Sequence, residues 1–220
     1  MNLNKYIDHT LLKADATKAE IKKLCEEAIK YEFATICVNT TWTQYANELL
    51  KNSKVEITNV IGFPLGACDS NTKAFETKQA IKFGASEIDM VLNIGALKDQ
   101  NYELVLNDMK AVKQAAGKNI VKCIMENCLL NKEQIIKACQ LAIEAELDFV
   151  KTSTGFSTSG ATIEDVKLMK KIVGNACKVK AAGGVRTYDD AIAMINAGAD
   201  RLGTSGGVNI VNGKEHTNGY

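Results

Sequence analysis

A chain of 220 residues, 46% hydrophobic and 24% charged with a formal net charge of +1, is composed like a globular protein that works in water. That balance gives no footing for a nucleic-acid or membrane-surface partner, and no apolar run is long enough to span a bilayer. Seven cysteines without a CxxC pair argue against a disulfide framework, and two histidines are too few for a His-rich zinc site or for a choice of serine-triad bases.

The N-terminus lacks the apolar core of a secretory signal, so the expectation is a cytoplasmic protein with reduced, mostly buried cysteines. "YIDHT" reads as a first strand. Thr17 and Glu20 then form a capping-box signature, with Ile21, Leu24, Cys25, Ala28 and Ile29 at helical spacing behind it. Strand candidates follow at Phe33–Asn39, Val55–Phe63, Glu87–Asn93, Ile120–Glu126, Asp148–Ser153, Lys178–Gly184 and Arg201–Ser205. Helical patterns lie between them, with cap-like starts at Asn131, Thr162 and Thr187. Eight strand–helix alternations without a linker predict an α/β protein, a closed (β/α)8 TIM barrel as a single domain over residues 1–220.

The segments "GASEIDMV", "AELDFVKT" and "AGADRLGT" each run from a helix end through a small turn into a strand. Aligned on that turn, Asp89, Lys151 and Gly203 coincide, and Cys37 of "YEFATICV" joins them. They fall on strands two, four, six and eight, and alternate strands of such a barrel share an interior layer. The spacing therefore predicts Cys37, Asp89 and Lys151 in one ring facing the axis, with Lys180 of strand seven close by.

Two lysines and a carboxylate make poor core packing, because a charge costs several kcal/mol to bury without compensation. A free lysine, with a pKa near ~10.4, is a neutral amine only about once in a few thousand molecules at neutral pH. A second ammonium about 5 Å away, at an effective dielectric of roughly 20, disfavours the charged form by about 3 kcal/mol. Desolvation acts in the same direction. One lysine so prepared is a nucleophile for carbonyl chemistry through an imine, and the aspartate can steady the lysine that stays charged and shuttle protons through water. Spacing leaves open which lysine is which. The hydroxyl-rich "TSTG" behind Lys151, able to hydrogen-bond a substrate, favours Lys151 as the covalent residue.

"AAGGVRT" and "GTSGGV" close strands seven and eight, where glycines allow backbone N–H groups to approach an anion, with a short helix expected after strand eight. A small phosphorylated substrate is the expectation. The alternatives are a phosphosugar isomerase or epimerase on the same barrel, an aldolase for another aldehyde, and a non-catalytic phosphometabolite sensor.

The motifs "VIGFPLGA", "EIDMVLNIGAL", "DFVKTSTGFSTSGAT" and "VKAAGGVRT", within a likeness running from "IDHTLL" to "GTSGGV", resemble the deoxyribose-phosphate aldolases. The resemblance implies a TIM-barrel class I aldolase without metal or organic cofactor, splitting 2-deoxy-D-ribose 5-phosphate reversibly into acetaldehyde and D-glyceraldehyde 3-phosphate. It implies Lys151 as the Schiff-base residue, Lys180 as its perturbing neighbour and Asp89 as proton donor and acceptor. Cys37 and Asp8 fall on pocket-lining positions, and Gly155, Gly183, Gly184, Gly203 and Ser205 on the phosphate cradle. Thr40, Ala181, Asn127 and Gly206 depart from the usual pattern, which has proline, serine, threonine and serine there. The tail "HTNGY" resembles those whose last tyrosine, here Tyr220, reaches the active site. Small phosphorylated sugars and aldehydes are the expected partners, with homo-oligomer formation left open.

Overall fold

The computed structural model describes residues 2–217, so Tyr220 lies outside the described residues. Eight parallel strands close on themselves in sequence order: β1 (Ile7–Leu11), β2 (Thr35–Val38), β3 (Glu56–Ile61), β4 (Glu87–Val91), β5 (Ile120–Ile124), β6 (Phe149–Lys151), β7 (Lys178–Ala182) and β8 (Arg201–Thr204). Between and after them run α1 (Lys18–Tyr31), α2 (Thr43–Leu50), α3 (Ser70–Lys82), α4 (Ile94–Lys98), α5 (Tyr102–Ala116), α6 (Lys132–Glu144), α7 (Ile163–Val173), α8 (Tyr188–Asn196) and α9 (Gly207–Val211). The architecture is the (β/α)8 TIM barrel that the alternation predicts. No helix among the described residues is long and apolar enough to cross a membrane.

Local chemistry explains where elements start. Thr17, Asn131 and Thr187 each close a capping box, and Thr162 accepts from the Asp165 backbone N–H at the head of α7. Strands are shorter than the apolar runs suggest, because polar end residues leave the ladder for other partners. Asn39 Nδ2 donates to the Leu12 carbonyl, and Asn93 accepts from Ala96 N–H as the cap of α4. In α1, Ile21, Leu24, Cys25 and Ala28 are buried, but Ile29 is 41% exposed at the edge of the stripe.

The core proper lies between barrel and helices, built from outward strand residues such as Ile36, Ile88, Val121, Val150, Val179 and Leu202. Outside the barrel, Lys73 of α3 is fully buried, pairing with Asp108 of α5 at 2.5 Å and donating to the Val91 carbonyl at 2.9 Å. The seven cysteines are all free; Cys68 and Cys128 are half-buried and the other five buried.

Candidate active site

The barrel interior is polar rather than aliphatic. Register and contacts arrange its side chains in three layers. Thr35, Glu87, Phe149 and Arg201 form the bottom layer. Asp8, Thr58, Lys122 and Lys180 form the middle. Cys37, Asp89, Lys151 and Gly203 form the top, at the mouth where the strands end. Gly203 is needed there for space: a Cβ on it would stand 3.1 Å from Lys180 Cε and 3.0 Å from Ala182 Cβ.

Ion pairs link the layers. Lys151 Nζ and Lys180 Nζ each lie 2.8 Å from Asp89 Oδ2, and Lys122 Nζ lies 2.8 Å from Asp89 Oδ1. Lys180 also pairs with Asp8 at 2.5 Å, and Lys122 with Glu87 at 2.5 Å. Arg201 reaches Asp8 at 2.6 Å and Glu87 at 3.2 Å. Asp8 thus sits beneath the mouth as a fully buried counter-ion, rather than lining the pocket as the resemblance implied, because Lys180 and Arg201 both need a carboxylate there.

The charges in this network do not treat the lysines alike. Asp8, Glu87 and Asp89 carry three negative charges, and Lys122, Lys180 and Arg201 balance them with three positive ones. Lys151, itself only 3% exposed, is the fourth cation, sharing an oxygen of Asp89 that Lys180 already holds. A surplus buried charge is the one most readily given up. Burial, reinforced by Lys180, lowers the Lys151 pKa against the pull of Asp89. Burial pushes Lys180 and Lys122 down too, but their paired carboxylates outweigh it and raise both above the ordinary lysine value. Burial would raise the Asp89 carboxyl, but Lys122, Lys151 and Lys180 hold it well below the usual range. Burial pushes the Cys37 thiol up, so it stays protonated and inert.

Sequence reasoning missed the lower half of this network: Glu87, Lys122 and Arg201. The signal was present, because Glu87 and Arg201 lie two residues before Asp89 and Gly203 on the same strand face. Of the "TST" hydroxyls, expected to face a substrate, the two threonines are instead taken by the protein, while Ser153 Oγ is buried without a hydrogen-bond partner among the described residues. Thr152 bonds the backbone of Ala182 in both directions, and Thr154 donates to Glu126, itself buried in a left-handed conformation at φ 53°. The Glu126 carboxylate also accepts from Thr154 N–H at 3.1 Å, so it clamps the start of the β6–α7 loop.

Beside the top layer, a cleft of about 210 Å³ opens between the ends of β6, β7 and β8. Gly155, Gly183, Gly184, Gly203 and Ser205 all line it. Gly155, Gly183 and Gly184 take φ of 86°, 77° and 79°, which L side chains resist. The loop after β6 is stitched to the turn after β7: Ala161 N–H donates to the carbonyls of Ala182 and Gly183. Gly160 lies so close that a Cβ would be 2.3 Å from the Gly183 carbonyl. Ser157, Thr158, Ser159 and Thr204 add hydroxyl-bearing side chains to the lining, while Arg186 and His216, which stood inside quoted motifs without a role of their own, are the lining residues able to carry positive charge among the described residues. On the opposite, β1–β3 side of the mouth, Leu12, Cys37, Val60 and Phe63 form a separate apolar cluster.

Of the departures from the family pattern, Gly206 has a visible consequence. A Cβ there would stand 2.5 Å from His216 Cβ and Cγ, so the missing side chain makes room for the tail. Asn127 donates to Met169 Sδ at 3.2 Å in the core. Thr40 donates to Glu76 at 3.1 Å, and Ala181 is buried.

A parallel barrel carrying a destabilised ammonium beside a retained one, next to a glycine-lined cleft, is the arrangement of an enzyme of the lysine-dependent aldolase class. Comparison with known proteins agrees. The model of the DeoC/LacD family aldolases matches residues 3–213. A deoxyribose-phosphate aldolase 1 of Mesoplasma florum is 72% identical over 220 residues, covering all of both chains, and a deoxyribose-phosphate aldolase of Streptococcus sanguinis is 60% identical, also over all of both. Among solved structures, the tetrameric deoxyribose phosphate aldolase of Aeropyrum pernix superposes with a TM-score of 0.88 at 30% identity, covering 96% of this chain and 89% of that one. The chain belongs to the DeoC/LacD family of aldolases.

Proposed function

We propose that the protein cleaves 2-deoxy-D-ribose 5-phosphate reversibly to acetaldehyde and D-glyceraldehyde 3-phosphate through a Schiff base on Lys151. The observation that carries the assignment of the lysine is the charge balance: three carboxylates are matched by Lys122, Lys180 and Arg201, leaving Lys151 in surplus. The substrate follows from the family and from its full-length relatives.

In the synthetic direction, the neutral Lys151 amine adds to the carbonyl of acetaldehyde, and loss of water gives a protonated imine. That imine withdraws electrons from the adjacent C–H bond, and removal of the proton leaves an enamine. Lys180, held charged by Asp8 and Asp89, keeps the neighbouring amine neutral and supplies a proton to the hydroxyl leaving the carbinolamine. Asp89, held as a carboxylate by its three lysines, is the acceptor through which water carries the enamine-forming proton. The enamine attacks the aldehyde of glyceraldehyde 3-phosphate, and hydrolysis of the product imine restores Lys151. The cleft at β6–β8 holds the phosphate remote from the reacting carbons and converts that binding into orientation. The apolar cluster across the mouth suits the methyl end of acetaldehyde. The likeness to a tetrameric aldolase supports assembly into a homo-oligomer. A coupled assay that detects glyceraldehyde 3-phosphate released from 2-deoxyribose 5-phosphate tests the reading; turnover supports it, and its absence with folded protein sinks it.

A further inference from the structure

Ser205 lines the cleft, and its Oγ lies 3.1 Å from His216 Nε2. His216 lies outside every barrel element, on the tail beyond α9. Its backbone N–H donates to the Arg186 carbonyl at 2.9 Å, and its ring fills the notch at Gly206. On its other side is Asn209 of α9, whose Nδ2 lies 3.4 Å from the Glu215 carbonyl and 3.5 Å from His216 Nδ1. These contacts fix the direction of each hydrogen bond. A carbonyl only accepts, so the Asn209 atom facing the tail is its NH2 group. The imidazole nitrogen facing that NH2 must then be the unprotonated one, which places the ring proton on Nε2. Nε2–H donates to Ser205 Oγ, and the serine's own O–H is released to donate elsewhere. Burial, with Arg186 next in influence, lowers the His216 pKa and favours this neutral form.

We propose that His216 is a positioning residue that turns the Ser205 hydroxyl into a directed donor to the phosphate of the substrate, and so sets the preference for phosphorylated over unphosphorylated sugars. This rests on the reading of the cleft as the phosphate site. Gly206 is the structural condition for it: its φ of −91° suits any residue, but any side chain would evict the imidazole.

The test compares kcat/KM for 2-deoxyribose 5-phosphate with that for 2-deoxyribose in wild type, H216A, H216Q, G206A, S205A and the S205A/H216A double variant. In H216A the ratio should fall about tenfold, the worth of one hydrogen bond to a charged group, with the loss mainly in KM. G206A should match H216A, and H216Q, whose amide can still donate to Ser205, should recover part of the loss. Because His216 acts through Ser205, the double variant should be no worse than S205A alone. A ratio within twofold of wild type in H216A, or losses that add in the double variant, would overturn the proposal. Should the wild type cleave neither sugar, the aldolase reading fails on its own. The inference is then decided by titrating inorganic phosphate: about tenfold weaker binding in H216A and G206A upholds it, and equal binding overturns it.

Discussion

The barrel interior and the cleft beside it handle charge in opposite ways. Inside, seven ionisable side chains from six strands are packed almost dry and hold one another by direct ion pairs, so the state of each is set by all the others. In the cleft, glycine turns and hydroxyl-bearing side chains face a space of about 210 Å³, and among the described residues only Arg186 and His216 can bring positive charge. On the proposed function, the difference separates the chemistry from the recognition. A reacting amine needs a medium of low effective dielectric, in which one neighbouring charge moves its proton affinity strongly. A phosphate needs backbone and hydroxyl donors that can approach closely and release it again.

Variants that break this contrast should differ by orders of magnitude. The largest effect is expected for Lys151→Met, which removes the proposed nucleophile: turnover should fall by at least about 10⁴-fold, and borohydride with acetaldehyde should no longer leave a stable ethyl adduct. Next comes Lys180→Met. Losing the neighbouring ammonium raises the Lys151 pKa, so less of the neutral amine is present at a given pH. Activity should drop about 10²–10³-fold near neutrality, with the ascending limb of the pH–rate profile displaced to higher pH. Arg201→Met probes the balance from the far end of the barrel. Without Arg201, Asp8 and Glu87 carry an unmatched negative charge that Lys151 can offset by holding its proton. The profile should shift the same way by less, with about a tenfold loss at neutral pH. The cleft should answer differently: Gly160→Ala, whose Cβ meets the Gly183 carbonyl at 2.3 Å, should raise KM for the phosphorylated substrate about tenfold without displacing the pH–rate profile.

How much of this was legible in the sequence depends on the kind of signal each part leaves. The barrel was readable because strand–helix alternation and the caps at Thr17, Asn131, Thr162 and Thr187 are local patterns. The top layer could be reached because its members recur at equal offsets from equivalent turns. Lys122 lies on neither the aligned turns nor a strand end that drew attention, although β4–β5 pairing sets it directly beside Asp89. Arg201 and Asp8 are separated by 193 residues in sequence and meet through the closure between β8 and β1. The hydroxyls after Lys151 were legible as a motif, but the direction of the two threonines was not, since Glu126 captures Thr154 from another strand's end and the Ala182 backbone takes Thr152. The tail "HTNGY" drew attention for its last tyrosine, but nothing in it marked His216, whose place depends on the notch at Gly206.

The central claim is that Lys151, unlike Lys122 and Lys180, holds its proton less tightly than an ordinary lysine and is the one that reacts as the amine. The most direct measurement is trapping with acetaldehyde and borohydride over a pH series, followed by peptide mapping of the ethyl adduct. The account predicts modification at Lys151, with yield rising through an apparent pKa below that of free lysine. Adduct at Lys180 or Lys122, or yield that rises only where an ordinary lysine titrates, would contradict it.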